Sequence, residues 1–163
     1  MEERPLWAPW RIEYIKGPKP DECIFCEGPK RRDDRTGHLL ERGPRCFTML
    51  NAYPYASGHV MVAPYRHVAG LDDLVDDELL DLMRLARRTI AGLRALMAPD
   101  GFNVGLNLGH VAGAGFADHL HLHVVPRWDG DANFMPVIGG TRVIPQALDA
   151  TREALAGALD RLG

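Results

Sequence analysis

His119-Leu120-His121-Leu122-His123-Val124-Val125 alternates imidazole and aliphatic side chains along one short run. In an extended strand successive side chains point to opposite faces, so this spacing predicts His119, His121 and His123 on one face and Leu120, Leu122 and Val124 on the other. The aliphatic face should meet a core and the imidazole face a site. Burying three imidazoles without partners is costly, because each carries groups that need hydrogen bonds. A solvated strand face, or a metal site without chemistry, is the bland reading. Three alternating histidines followed by Val124-Val125-Pro126-Arg127 favour a functional one.

Working outward, Gly109 to Phe116 carries three glycines and reads as a loop, with a strand from Phe102 to Leu108 before it and the histidine strand from His119 to Val125 after it. Further upstream, Leu79, Leu82, Met83, Ala86, Ile90, Leu93 and Met97 recur at helical steps. The acidic residues 76 to 78 suit a helix start, and Pro99-Asp100-Gly101 a stop, which predicts a long helix over 76–97. Leu39 to Asn51 reads as a hairpin turning near Gly43-Pro44, and Gly58 to Ala63 as a third strand ended by Pro64. A last helix is expected from about Pro145 to Leu162, with Ala147, Leu148, Thr151, Leu155, Leu159 and Leu162 on one face. Strands, helix, strands, helix is the order of an α+β domain on an antiparallel sheet of about five strands.

The 163 residues fit a single domain spanning 1–163, large enough to hold a core without disulfides. Residues 1–38 carry Pro5, Pro9, Pro18, Pro20 and Pro29 and should be mostly irregular. The basic run Lys30-Arg31-Arg32 with Arg35 is broken by Asp33 and Asp34 and reads as a solvated loop. A net charge of -3 argues against a nucleic-acid partner but leaves a small anionic ligand open, since a few local donors suffice to bind one. With no signal-peptide pattern and no apolar run of membrane-spanning length, the expectation is a cytoplasmic protein without a membrane partner. Cys23-x-x-Cys26 is open between zinc and redox chemistry. Zinc is preferred because the Pro-rich surroundings lack the βαβ context of a redox motif. Cys46, inside an apolar run, reads as a small buried hydrophobe.

His119-Leu120-His121-Leu122-His123-Val124-Val125 resembles the histidine-triad signature His-φ-His-φ-His-φ-φ at every position, φ being apolar. The resemblance implies the histidine-triad fold, with His121 as the nucleophile attacking phosphorus to give a nucleotidyl-histidine. Catalytic support would come from His123 and His59. Phe47-Thr48-Met49-Leu50-Asn51 followed by Gly58-His59-Val60-Met61-Val62 is similar to the family's nucleoside-binding hairpin. On that likeness Leu50 and Asn51 bind substrate, with Asn51 at the ribose, and His59 supports the triad. Asn107, Gly113, Gly115, His123 and Trp128 are further substrate-binding candidates, with His123 and the Gly113 to Gly115 loop as phosphate donors. Branches with an early Cys-x-x-Cys complete a structural zinc site with His67 and His119, giving Cys23, Cys26, His67 and His119 as ligands.

Trp7-Ala8-Pro9-Trp10-Arg11, Leu50 to Tyr55, Gly101 to Asn107 and Pro126 to Phe134 are similar to the bacterial branch of diadenosine tetraphosphate phosphorylases and adenylyltransferases. That likeness implies a homodimer, with Trp128 near the partner's site, and cleavage of a dinucleoside polyphosphate with phosphate or water as acceptor. The alternatives are a hydrolase of diadenosine triphosphate or nucleoside phosphoramidates, and a nucleotide-binding signalling module. One departure stands out: Gly115 occupies a position where relatives often carry Ser or Gln to hold phosphate, which leaves that task to backbone N–H groups or another side chain.

Overall fold

The computed structural model describes residues 22–131 and 147–162; the expectations placed on Trp7 to Arg11 and on residues 132–134 lie outside them. The elements are α1 (Ile24–Glu27), β1 (Leu39–Arg42), β2 (Cys46–Leu50), β3 (Val60–Pro64), α2 (Asp76–Met97), β4 (Gly101–Leu106), β5 (Leu122–Arg127) and α3 (Leu148–Asp160). The strands form one sheet in the order β1-β2-β3-β5-β4, every neighbouring pair antiparallel. The fold is α+β, with five strands, as the order of elements implies. Among the described residues no helix is long and apolar enough to cross a membrane.

Two apolar clusters cover the two faces of the sheet. Leu50, Val60, Val62, Leu122 and Val124 pack under α2 and α3 against Leu82, Leu93, Leu155 and Leu159. On the other face Phe47, Met49, Met61 and Ala63 pack against Phe25, from the N-terminal segment. Alternation within each strand produces this division, since consecutive residues serve opposite faces. Cys46 lies in the helix-side cluster, fully buried, and burial pushes its thiol up to about 12, so it behaves as a hydrophobe.

Helix α2 occupies the predicted span, but its buried stripe is Glu78, Asp81, Leu82, Leu85, Ala86, Thr89, Gly92 and Leu93. Met83, one of the apolar residues recurring at helical steps, is 56% exposed, because the stripe advances past it to Leu85 and Ala86. Leu162, expected on one face of the last helix, lies beyond that helix's end at Asp160 and is exposed. Within residues 22–38, α1 is followed by a 3₁₀ turn at Gly28–Lys30 with Pro29 inside it, where a missing N–H costs nothing.

The main correction concerns the histidine strand. β5 begins at Leu122, not His119, because its pairing with β3 starts at Leu122 opposite Val62. Ahead of it the chain bends away, and the Leu120 N–H donates to the Val68 carbonyl at 2.7 Å. The third strand is also shifted, running to Pro64 and starting only at Val60.

Two carboxylates on α2 tie the helix to the sheet. Asp81 accepts backbone N–H bonds from Arg45 and Cys46, each at 2.8 Å, at the turn between β1 and β2. Glu78 receives the Arg66 guanidinium through two bonds of 2.7 and 2.6 Å and caps the helix through the Val75 N–H at 3.1 Å, which anchors the loop carrying His67. Asp81→Ala leaves the buried Cys46 N–H without a partner and frees the half-buried Arg45 N–H, so unfolding in urea should show a loss of about 1–3 kcal/mol with an unchanged m-value. Hydrogen bonding from Arg66 holds the Glu78 carboxyl below the usual carboxylate range. Its contribution is therefore complete above the ordinary glutamate value near 4.5 and fades as pH falls through the lowered one. The stability gap between wild type and Glu78→Gln should shrink as the pH is taken from 6 towards 3, which thermal melts across about that range will show.

Candidate active site

His121 precedes β5 by one residue and is only 7% exposed. Its Nδ1 lies 2.8 Å from the carbonyl oxygen of His119. A carbonyl can only accept, so Nδ1 carries the proton and Nε2 is left with its lone pair. Burial lowers the His121 imidazole below its ordinary value, which keeps that lone pair available at neutral pH.

A second chain of bonds sets the neighbouring imidazole. The Tyr55 backbone N–H donates to His59 Nδ1 at 3.1 Å, and the Asn51 amide nitrogen stands 3.3 Å from the same atom. His59 Nδ1 is thus the acceptor, the His59 proton sits on Nε2, and that atom donates to His123 Nδ1 at 2.9 Å. By elimination a neutral His123 carries its proton on Nε2, 3.5 Å from Asn107 Nδ2; two donors cannot bond, so this tautomer requires the Asn107 amide to turn its oxygen towards the ring. Two adjacent imidazoles, ring centroids 4.8 Å apart, therefore have opposite tautomers: His121 offers a lone pair and His123 a donor. His59 is fully buried and reaches this position because Gly58 before it adopts φ 78°, where a Cβ would press on Met97.

A cleft of about 480 Å³ opens onto these groups, lined by His121, His123, Asn51, Gly113, Gly115 and Phe25 among others. Asn51 also closes a turn, its side-chain oxygen accepting the Tyr53 N–H at 2.9 Å. Gly113 has φ 88° and ends the 3₁₀ turn His110–Ala112, so the loop can present backbone rather than side chains to the cleft. Leu50 lies in the helix-side core and does not line this cleft. Trp128 is also absent from it: the indole N–H donates to the Met97 carbonyl at 3.3 Å, at the far end of β5.

The cleft contains groups that sequence reasoning missed. Phe25, Tyr53, Tyr55 and Phe116 line it, and so does Arg31, which the sequence places in a solvated loop without function. Arg31 donates to the Thr36 carbonyl at 2.9 Å along the cleft wall. Interrupting acids made its run look like a solvated loop, and only long-range folding turns the segment over the sheet.

Cys23, Cys26, His67 and His119 come together beside His121, their ligand atoms all within 4.8 Å of one another. His119 Nε2 donates to the Pro64 carbonyl at 3.0 Å, so its Nδ1 lone pair faces the cluster. Nδ1 of His119 is 3.4 Å from Cys23 Sγ, 3.6 Å from Cys26 Sγ and 3.2 Å from His67 Nδ1, and Cys26 Sγ is 3.3 Å from His67 Nδ1. Bonds of about 2.0 Å to nitrogen and 2.3 Å to sulfur around one ion would give tetrahedral edges of about 3.3–3.8 Å, so the donor set fits a metal. Burial lowers His119 to about 4, keeping it neutral as a ligand must be. Burial and the neighbouring Cys23 sulfur push the Cys26 thiol up, a cost that a bound cation would reverse.

The HIT domain family model matches residues 33–130, which span the sheet, α2 and all three triad histidines. The chain belongs to the HIT family. It is 46% identical over 160 residues to the AP-4-A phosphorylase of Mycobacterium tuberculosis, an alignment covering 93% of this chain and 82% of that protein. Among solved structures, the HIT fold here superposes on a histidine triad nucleotide-binding protein of Sulfolobus tokodaii with a TM-score of 0.70 at 24% identity, over 86% and 93% of the two chains. A zinc-bound histidine triad family protein from Mycobacterium smegmatis gives 0.67 at 26% identity, over 86% and 95%.

The cluster makes a direct prediction for the HIT chain. Titrated with Co²⁺, the full-length protein should take up one equivalent, with the thiolate-to-metal charge-transfer band of two cysteine ligands. Cys26→Ser should weaken binding by about 100-fold or more and halve that band. Wild type that shows no thiolate band would mean that the two sulfurs do not ligate.

Proposed function

We propose that this protein is a nucleotidyl transferase that cleaves dinucleoside polyphosphates, diadenosine tetraphosphate among them, through a nucleotide bound covalently to His121. The observation that carries this reading is the pair of opposite tautomers at the cleft. His121 Nδ1–H is held by the His119 carbonyl, leaving Nε2 as nucleophile, while His123 presents an N–H beside it.

In the first half-reaction His121 Nε2 forms the N–P bond to the α-phosphorus as the bond to the leaving polyphosphate breaks. No proton has to leave the ring. The positive charge that develops on the imidazole is stabilised by the His119 carbonyl, and negative charge on the phosphoryl oxygens by the His123 Nε2–H and by backbone N–H groups of the Gly113 to Gly115 loop. Asn51 is placed beside His59, where it can meet the ribose. An acceptor oxygen then attacks from the side the leaving group has vacated and regenerates the neutral imidazole. Similarity to a protein named AP-4-A phosphorylase supports inorganic phosphate as that acceptor. With Gly115 where a side chain would otherwise reach over, the loop leaves room for it.

On this reading zinc, held by Cys23, Cys26, His67 and His119, is structural: four protein ligands leave no open position, so the metal would fix the segment that carries the nucleophile and touch no substrate. The protein would work as a cytoplasmic homodimer, with Trp128 serving the partner's site.

Incubation with diadenosine tetraphosphate, with and without inorganic phosphate, tests the proposal. ATP and ADP should appear only when phosphate is present. ATP and AMP without phosphate would make water the acceptor, and no cleavage would refute the substrate class. His121→Gln should lower turnover by about 10⁴-fold or more while nucleotide affinity, measured by calorimetry, stays near that of wild type.

A further inference from the structure

Phe25 is fully buried, between Cys23 and Cys26 on α1. Its ring stacks on His121 with centroids 4.6 Å apart and planes 25° apart. It also lies 5.1 Å from the His119 ring and meets Phe116 edge-on at 5.9 Å. The nucleophile is thus held by one hydrogen bond at Nδ1, by the stacked face of Phe25 and by the edge of His123.

One hydrogen bond does not define the plane of an imidazole, whose second torsion is broad and roughly two-fold. A flipped or tilted ring would take Nε2 away from the line of attack. A flat neighbour covering one face restricts that freedom, and Phe25 is the group that covers it. The placement of Phe25 itself depends on α1, which has only four residues. A single helical turn does not hold its own geometry, because nucleation costs more than one turn of hydrogen bonds returns. Besides the packing of Phe25 against Phe47, Met49 and Met61, what flanks this turn at both ends is the pair of sulfurs, facing His67 and His119.

We propose that Phe25 is a positioning residue for His121, and that the Cys23, Cys26, His67 and His119 cluster controls the nucleophile through it. Metal held by the two cysteines locks the turn, the turn presses Phe25 onto the imidazole, and the imidazole keeps Nε2 on the attack line. His119 adds a parallel route, since its ring belongs to the cluster and its carbonyl fixes the His121 proton. Loss of the metal would therefore disable the nucleophile without removing any group that touches substrate. This rests on His121 being the nucleophile.

The test reads the His121 ring directly, by ¹H–¹⁵N NMR of histidine-labelled full-length protein, zinc-loaded and free of nucleotide. Wild type should show a single Nδ1–H tautomer with ring protons shifted upfield by the stacked Phe25. Phe25→Leu keeps apolar volume but removes the flat face. It should lose the upfield shift and mix the tautomers, and kcat for dinucleoside polyphosphate cleavage should fall about 10- to 100-fold with KM nearly unchanged. Should Phe25→Leu fail to fold, Phe25→Met carries the same comparison. Chelation of wild type with EDTA, with metal content and circular dichroism followed together, should produce the same change in the His121 signals. An unchanged His121 signature in the variant, with only KM raised, would make Phe25 a wall of the cleft and overturn the proposal. An unchanged signature after metal removal would overturn the link to the cluster. The ring signals are read without substrate, so absence of turnover in wild type would count against the proposed activity and leave this assignment to be judged on the NMR alone.

Discussion

A hydrogen bond spanning two residues, from His121 Nδ1 to the carbonyl oxygen of His119, sets the direction of the lone pair on which the proposed chemistry turns. It exists because the chain is not yet in the sheet at that point. Pairing of β5 with β3 starts at Leu122, so the His119 carbonyl is available to the ring instead of to a strand ladder. Had the regular strand run through all three histidines, this carbonyl would have been a candidate for sheet pairing, and the tautomer of His121 would have needed some other acceptor. The bend ahead of β5 is held by the Leu120 N–H on the Val68 carbonyl and by the His119 ring on the Pro64 carbonyl.

The sheet divides labour between its faces. The helix side is an ordinary apolar core that gives the strands a rigid backing. The other side carries aromatic residues from the N-terminal segment, and the buried imidazoles lie among them. Each of those imidazoles has a named partner: His119 a carbonyl and the thiol cluster, His121 a carbonyl, His59 a backbone N–H, and His123 the ring of His59. Buried polar groups left without partners would cost about 1–3 kcal/mol each, so each ring is anchored through at least one nitrogen, and only Nε2 of His121 is left facing the cleft. The same relay assigns donor and acceptor roles, so satisfaction of the buried groups and preparation of the site are one physical requirement.

Much of this was legible in the residues. Helix α2 was readable to its ends because acidic residues, a Pro-Asp-Gly stop and a 3.6-residue period agree. The alternation of histidine and leucine matches what the fold shows at Leu122 and Val124, which enter the helix-side core, and at His121 and His123, whose rings line the cleft. Period alone leaves the width of the buried stripe open by one position, which is why Met83 shares the spacing but not the burial. Arg31 and Tyr55 gave no periodic signal, since irregular segments place their side chains by long-range contacts. Phe25 was visible only as the apolar residue inside a Cys-x-x-Cys pair.

By itself, then, the sequence determined which residue types can do the chemistry and which face of the sheet they share, because both follow from local backbone geometry and side-chain chemistry. Only the tertiary structure decided where each proton sits and what lies against each ring. Those depend on partners distant in the chain: Pro64 for His119, Tyr55 and His59 for His123, and Phe25 for His121. Tautomers and stacking are settled by the nearest available donor, acceptor or flat surface, and that neighbour exists only once the chain has folded.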